Sequence, residues 1–116
     1  MKPDMNRRAI SRTAMYLRCY PFDAWKMDFH RDALQRYAMS LGLPEPTVYL
    51  DNGVRSGEPM PALRELNREV AAGHVHLVMV PGPFVFSLDD AEARTVSGQI
   101  TATGCRVMEL PASLRR

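Results

Sequence analysis

The chain has 116 residues, and its 15 lysines and arginines against 13 aspartates and glutamates give a formal net charge of +2. This length, with 46% hydrophobic and 24% charged residues, predicts one folded domain with a single core and argues against wholesale disorder. No run of about 18 apolar residues occurs, which excludes a membrane-spanning helix, and two cysteines are too few for a disulfide framework and favour a cytoplasmic setting.

The first half of the chain reads as a strand, a helix and a second strand. A mostly apolar run predicts a buried strand over 13–19. Helical spacing then predicts a helix from about Phe22 to Leu41, ended by Gly42, and a short strand over 47–50. The apolar residues three or four apart that we expect on the buried face of this helix are Phe29, Ala33, Leu34, Tyr37, Ala38 and Leu41.

The second half repeats this alternation. Residues 51–61 are rich in Gly, Pro, Asp and Ser, which is typical of a surface loop, and Pro61 is well placed to begin a helix that stops at Gly73. A strongly apolar run predicts a central strand over 75–80. A helix follows from an N-cap at Ser87 to about Thr103, and then a last strand over 106–110.

The order βαβαβαβ predicts an α/β protein, a three-layer sandwich with a mostly parallel sheet that helices cover on both faces. In such sheets the loops that follow the strands lie at one edge and form the functional surface. The loops that begin at Tyr20, Asp51 and Pro81 are therefore expected to converge. We expect this domain to span 13–110.

Six segments in this order resemble the catalytic domain of the resolvase/invertase family of serine recombinases, five of them around the strands and the later helix and one in the first helix. The matching segments are Tyr16-Leu17-Arg18-Cys19-Tyr20, Tyr49 to Gly57, Met60-Pro61-Ala62-Leu63-Arg64-Glu65-Leu66, Ala72 to Val80, and Thr103-Gly104-Cys105-Arg106-Val107. The helix ending at Ala38 is similar to the family's first helix. The resemblance covers roughly residues 14–110 and implies the resolvase-like fold.

The same resemblance implies DNA strand exchange by a serine that attacks a phosphodiester, but the chain departs from the family at the chemistry. Tyr20 stands at the serine position, and Met60 stands where the family has an arginine before the proline. The segment 82–86 replaces the family's Asp-Arg-Leu-Ser-Arg motif. Because each lost transition-state contact typically costs about 10²–10³ in rate, we expect a catalytically inactive domain acting as a regulatory or protein-interaction module.

The residues of this vestigial site are Arg18, Tyr20, Asp51 and Ser56. Tyr20 either fills the vacated pocket or serves as a phenolic nucleophile with Arg18 as its one local cation. Arg18 either contacts an anion or pairs with Asp51 or Asp23. We expect Ser56 to be a turn residue.

Two aromatic groups are further candidates for binding. Phe84 and Phe86 either fill the former active-site cleft or form an exposed surface for a protein partner or a second copy. Trp25, with Phe22 and Phe29, forms a possible second apolar patch on the first helix.

The positive charge lies at the ends of the chain. Residues 1–12 hold four basic residues and one acidic residue, residues 111–116 hold two arginines, and the body between them holds nine basic and twelve acidic residues. Arg7, Arg8 and Arg12 are thus the candidates for phosphate contacts in the alternative function, a DNA-binding recombinase-family protein with a diverged active site. We expect no cofactor and no metal site, since His74 and His76 lack two further ligands.

Overall fold

The computed structural model describes residues 12–19, 23–52 and 59–114. Strands and helices alternate along these ranges, with two short 3₁₀ turns near the end. In chain order the elements are β1 (Thr13–Cys19), α1 (Ala24–Ser40), β2 (Thr47–Asn52), α2 (Pro61–Ala71), β3 (Leu77–Val80), a 3₁₀ turn (Pro83–Val85), α3 (Asp90–Thr101), β4 (Arg106–Glu109) and a second 3₁₀ turn (Ala112–Leu114). No helix in these ranges has the length and hydrophobicity needed to cross a bilayer.

The four strands form one parallel sheet in the order β2-β1-β3-β4. The two strands with the most buried side chains, β1 and β3, are therefore the central ones. This confirms the predicted α/β architecture. It also confirms that the apolar run after Gly73 forms a central strand, because such a strand is covered on both faces.

The helices cover the sheet unequally. Within the described ranges, α2 and α3 pack on one face, where Leu63, Leu66 and Ile100 meet Tyr16 and Val78. On the other face α1 lies alone, against a core made by alternate residues of the same strands. The buried members of this second core are Met15, Leu17, Met27, Leu34, Ala38, Leu77, Met79 and Leu110.

The buried face of α1 agrees only in part with the one that its spacing predicts. Leu34 and Ala38 are buried as predicted, and Ala33 and Tyr37 are partly buried against the same core. Met27, Leu34 and Ala38 point into the core, whereas Phe29 and Leu41 are exposed. At about 100° per residue, the line Met27–Leu34–Ala38 lies on nearly the opposite side of the helix from Trp25 and Phe29. The helix carries two apolar faces, and periodicity alone cannot decide which one meets the sheet.

The start of α3 is also a correction. Ser87 is not its N-cap. Asp89 takes that position, and its Oδ1 accepts the main-chain N–H groups of Ala91 at 2.8 Å and Glu92 at 3.1 Å. The Ser87 hydroxyl instead accepts the N–H of Asp89 at 3.0 Å and donates to Glu92 Oε1 at 2.9 Å. The carboxylate of Asp89, two residues after Ser87, is therefore the N-cap at the observed start of α3.

Candidate functional site

The carboxyl ends of β1, β2 and β3 lie at one edge of the sheet, which we call the rim. Arg18 on β1 and Asp51 on β2 are partners in the parallel register at this edge, and both are buried. Chain continuing from β3 brings Phe84 and Phe86 to the same place. The rim thus brings together four of the residues that the sequence singled out.

Asp51 caps a helix from a neighbouring element. Helix α2 begins with Pro61, which has no N–H, so the next two N–H groups are the first that need acceptors. Asp51 Oδ1 accepts from Ala62 N at 2.9 Å, and Oδ2 accepts from Leu63 N at 3.0 Å. The carboxylate therefore stabilises the positive end of the helix dipole and fixes α2 against β2.

Tyr16 completes this arrangement. Its hydroxyl donates a 2.7 Å hydrogen bond to Asp51 Oδ2, and its side chain is fully buried. Burial and the adjacent carboxylate of Asp51 raise the pKa of Tyr16 far above its usual value. The phenol consequently stays protonated and serves as a structural donor.

Apolar side chains surround the Tyr16 ring. The ring of Phe86 lies parallel to it, with centroids 6.0 Å apart and an interplanar angle of 7°. Met60 Sδ lies 3.7 Å from the Tyr16 oxygen. Phe86 is only 3% exposed, so it points inward and offers no surface to a partner.

Arg18 lies two residues after Tyr16 on the same face of β1. It is 7% exposed, and its Nη1 donates a 3.5 Å hydrogen bond to the main-chain oxygen of Phe84. Asp23, which the sequence offered as a possible partner of Arg18, is the N-cap of α1. Its Oδ1 accepts the N–H of Lys26 at 3.1 Å. Arg18 thus joins β1 to the segment that follows β3.

Phe84 is half-buried between that segment and α1. Its ring centroid lies 5.8 Å from that of His30, and its edge packs against Gly82. A Cβ at position 82 would lie 2.6 Å from Phe84 Cε2, so a larger residue there would have to displace the Phe84 ring. Burial lowers the pKa of His30, with nearby Lys26 adding to the effect.

Of the remaining predicted site residues, the structure describes only Arg12. Tyr20, Ser56, Arg7 and Arg8 lie outside the described residues. Arg12 immediately precedes β1 and so lies at the opposite edge of the sheet. The exposed guanidinium of Arg12 lies 3.9 Å from Glu69 Oε1. Because β1 has seven residues, the end of the sheet at Arg12 is about 20 Å from the rim.

The histidines and cysteines form no joint site within the described ranges. His74 Nδ1 lies 3.0 Å from Glu69 Oε1 at the surface, and no three metal-ligating side chains gather in this part of the chain. Cys105 is buried, and burial raises the pKa of its thiol. Cys19, the last residue of β1, is half-buried.

Two further residues at the rim, Tyr16 and Met60, were not among the site residues that the sequence predicted, although Met60 was noted as the replacement for an arginine. Tyr16 and Met60 belong to segments that carry the family resemblance, yet only their contacts make them neighbours of Asp51. A signal was present for Tyr16: it precedes Arg18 by two residues, which places both on one face of a strand. No pattern in the sequence indicated that Asp51 would cap the helix that begins at Pro61.

Solved structures share the fold of this chain. The catalytic domain of TP901-1 integrase is 20% identical, with a TM-score of 0.73 over 85% of this chain and 76% of that one. The C-terminal catalytic domain of ISC1926 TnpA, an IS607-like serine recombinase, is 14% identical, with a TM-score of 0.73 over 87% and 68%. A serine recombinase from Sulfolobus solfataricus is 17% identical, with a TM-score of 0.60 over 86% and 68%. The fold is that of a serine recombinase catalytic domain.

No protein-family model matches the sequence, and no curated protein is similar to it. The chain shares its fold with these three structures at sequence identities of 14–20%. The fold confirms the resemblance that the six sequence segments indicated. Within the serine recombinase fold, the rim of this chain holds a buried tyrosine–aspartate pair beside Phe86 and Met60.

Proposed function

We propose that this chain is a serine-recombinase-like domain that does not cleave DNA and acts as a regulatory or protein-interaction module. The observation that carries the proposal is the pair of apolar side chains against Tyr16. Met60 occupies the position where the family resemblance places an arginine, and Phe86 belongs to the segment that replaces a charged motif. Neither side chain can stabilise negative charge on a phosphate.

The polar groups of the rim support the same proposal. Asp51 accepts hydrogen bonds from Tyr16 and from two N–H groups of α2. Arg18 is buried and donates to Phe84 O. Phosphoryl transfer relies on positioning and on cations directed at the nonbridging oxygens. An active site of that kind needs accessible cationic groups, and a carboxylate committed to a helix terminus cannot take their place.

The test is DNA cleavage by the full chain. Supercoiled plasmids that carry a random-sequence insert library are incubated with the protein, denatured, and analysed for nicked DNA and for DNA-linked protein. We expect neither product. A protein–DNA link that disappears in Tyr20→Phe would overturn the proposal and would make Tyr20 a nucleophile.

The second candidate is a DNA-binding recombinase-family protein with a diverged active site. The observation that favours it is the basic composition of residues 1–12, which end at the exposed Arg12. This function requires binding to duplex DNA that weakens steeply with salt. Mobility shifts between about 50 and 200 mM salt test it, with the triple variant Arg7→Ala, Arg8→Ala, Arg12→Ala as the comparison. Absence of binding at the low salt concentration would exclude this candidate.

A further inference from the structure

Helix α1 carries an apolar ridge on its outer side. Trp25, Phe29, Ala33 and Tyr37 follow one another at intervals of four residues, which places them along one line of the helix surface. Trp25, the one tryptophan of the chain, is 88% exposed, and Phe29 is 41% exposed. Trp25 and Phe29 face solvent, whereas Ala33 and Tyr37 are partly buried and also pack against the core beneath α1.

A cleft lies beside the ridge. Its volume is about 420 Å³, and it separates α1 from the second 3₁₀ turn. Phe29, Ala33, Tyr37 and Leu114 form its apolar walls, and Asp32 and Arg36 lie among its polar lining. The cleft can accept a large aromatic side chain. The exposed Trp25 lies on the same ridge, one helical turn before Phe29.

The projecting Trp25 and the cleft at Ala33 are related to each other through Phe29. Each is four residues, or about 6 Å along the axis, from Phe29. A two-fold axis at Phe29 therefore places Trp25 of each copy over Ala33 of the other, with the two Phe29 rings in contact. Ridges of residues four apart pack side by side when two helices cross at about −50°, the commonest helix-packing class in globular proteins.

The charges near the ridge are compatible with a second copy. Asp32 Oδ2 and Arg36 Nη2 form an ion pair 3.0 Å apart within one chain. The two charges cancel, so two such faces do not repel each other as faces of one sign would.

The available area sets the strength of the contact. A large aromatic side chain buries roughly 150–250 Å². From the exposed fractions of Trp25, Phe29 and Leu114, together with the polar side chains around them, each copy can bury roughly 500 Å². The pair then buries about 1,000 Å², which is near the lower limit for a specific interface. Such a dimer has a dissociation constant in the micromolar range or weaker.

We propose that two copies of this chain associate through the outer ridge of α1, with Trp25 of each copy in the Phe29–Ala33–Tyr37 cleft of the other. This inference rests on the proposed function as an interaction module, to which it gives a surface and a partner. It places that surface on the single-helix face of the sheet, away from the Tyr16–Asp51 pair.

Sedimentation equilibrium and tryptophan fluorescence test the proposal on the full chain. The mass is expected to rise from monomer toward dimer with concentration, and the Trp25 emission is expected to shift to shorter wavelength over the same range. Trp25→Ala weakens association at least about thirtyfold, as a central aromatic contact does. Leu88→Ala, which removes another exposed apolar side chain (74% exposed) beside α3, leaves association unchanged.

A cross-link tests the symmetry. In a Cys19→Ser background, Phe29→Cys is expected to form a disulfide-linked dimer on mild oxidation, because a residue at the two-fold axis faces its own copy. Leu88→Cys in the same background is the matched control and stays monomeric. A monomer at all concentrations, or a dimer that Trp25→Ala does not weaken, would overturn the inference without touching the absence of DNA cleavage. A protein–DNA link would overturn the proposed function and leave the dimer result standing.

Discussion

The hydroxyl of Tyr16 and the carboxylate of Asp51 lie 2.7 Å apart inside the rim, and they join the central strand β1 to its neighbour β2. The same carboxylate accepts the first two N–H groups of α2. A strand, its neighbour and a helix are thus tied by one buried acid. In this chain the polar residues of the rim stabilise the fold.

Removal of the Asp51 carboxylate is expected to destabilise the domain strongly. Asp51→Ala leaves two helix N–H groups and the buried Tyr16 hydroxyl without their acceptor, and we expect a loss of about 2–4 kcal/mol in the free energy of unfolding. Denaturant unfolding measures it. The control is Asp32→Ala, whose exposed ion pair with Arg36 contributes about 0.5 kcal/mol or less. Equal effects of the two variants would contradict the role of Asp51 as a cap.

Tyr16 is expected to make the protein sensitive to alkaline pH. Because burial and Asp51 raise its pKa in the folded state, the unfolded chain loses the phenolic proton first, at a pH of about 10. Stability therefore falls as the pH rises above about 10, by up to about 1.4 kcal/mol per pH unit for this group. Tyr16→Phe removes this contribution to the slope.

The matched variant for the pH experiment is Tyr49→Phe. Burial raises the pKa of Tyr49 as well, but its side chain is only half-buried. Unfolding free energies of the three proteins are compared between about pH 8 and 11, a range that spans the ordinary tyrosine pKa. A slope in Tyr16→Phe as steep as in the unchanged chain would show that Tyr16 ionises normally in the folded state.

Two glycine substitutions are expected to act in opposite directions. Gly82→Ala forces the ring of Phe84 away from its position, since the new Cβ would lie 2.6 Å from it, and costs about 1–3 kcal/mol. Gly98→Ala in α3 meets open space and gains about 0.5–1 kcal/mol through helix propensity. Thermal unfolding distinguishes them; a neutral Gly82→Ala would mean that the segment after β3 is loosely packed.

The two cysteines are expected to differ in reactivity. Cys19 is half-buried at the end of β1, whereas Cys105 is buried with a raised thiol pKa. A maleimide is therefore expected to modify Cys19 at least about tenfold faster, because Cys105 reacts only when the structure opens. Mass spectrometry of the Cys19→Ser and Cys105→Ser variants measures each rate, and both thiols react alike in denaturant.

The fold was accessible from the sequence because its signals agree at several levels. The apolar runs of β1 and β3, the proline at the start of α2 and the glycines after the helices all indicate the same alternating order. The parallel sheet then follows from that order. The buried side of α1 was only partly accessible. The spacing placed Leu34 and Ala38 in the core correctly, but it also placed Phe29 there, which is exposed.

The candidate site was only partly accessible. Parallel topology predicts that Arg18 and Asp51 meet at one edge, and they are register partners. The partners of Asp51 depend on how α2 enters the sheet after a loop, which no local pattern encodes. The predicted N-cap of α3 was wrong for a related reason. Ser87 and Asp89 are both suitable N-cap residues, and the path of the chain after Phe86 places Asp89 at the start of the helix.

The central claim is that the polar groups of the rim are committed to partners within the chain. It is tested most directly by following the side-chain Nε–H signal of Arg18 by NMR during a titration with inorganic phosphate at constant ionic strength, with Arg18→Lys to assign the signal. Because Arg18 is buried and donates to Phe84 O, the account predicts no saturable shift. A saturable shift of that signal would show an open, anion-binding rim and would contradict the account.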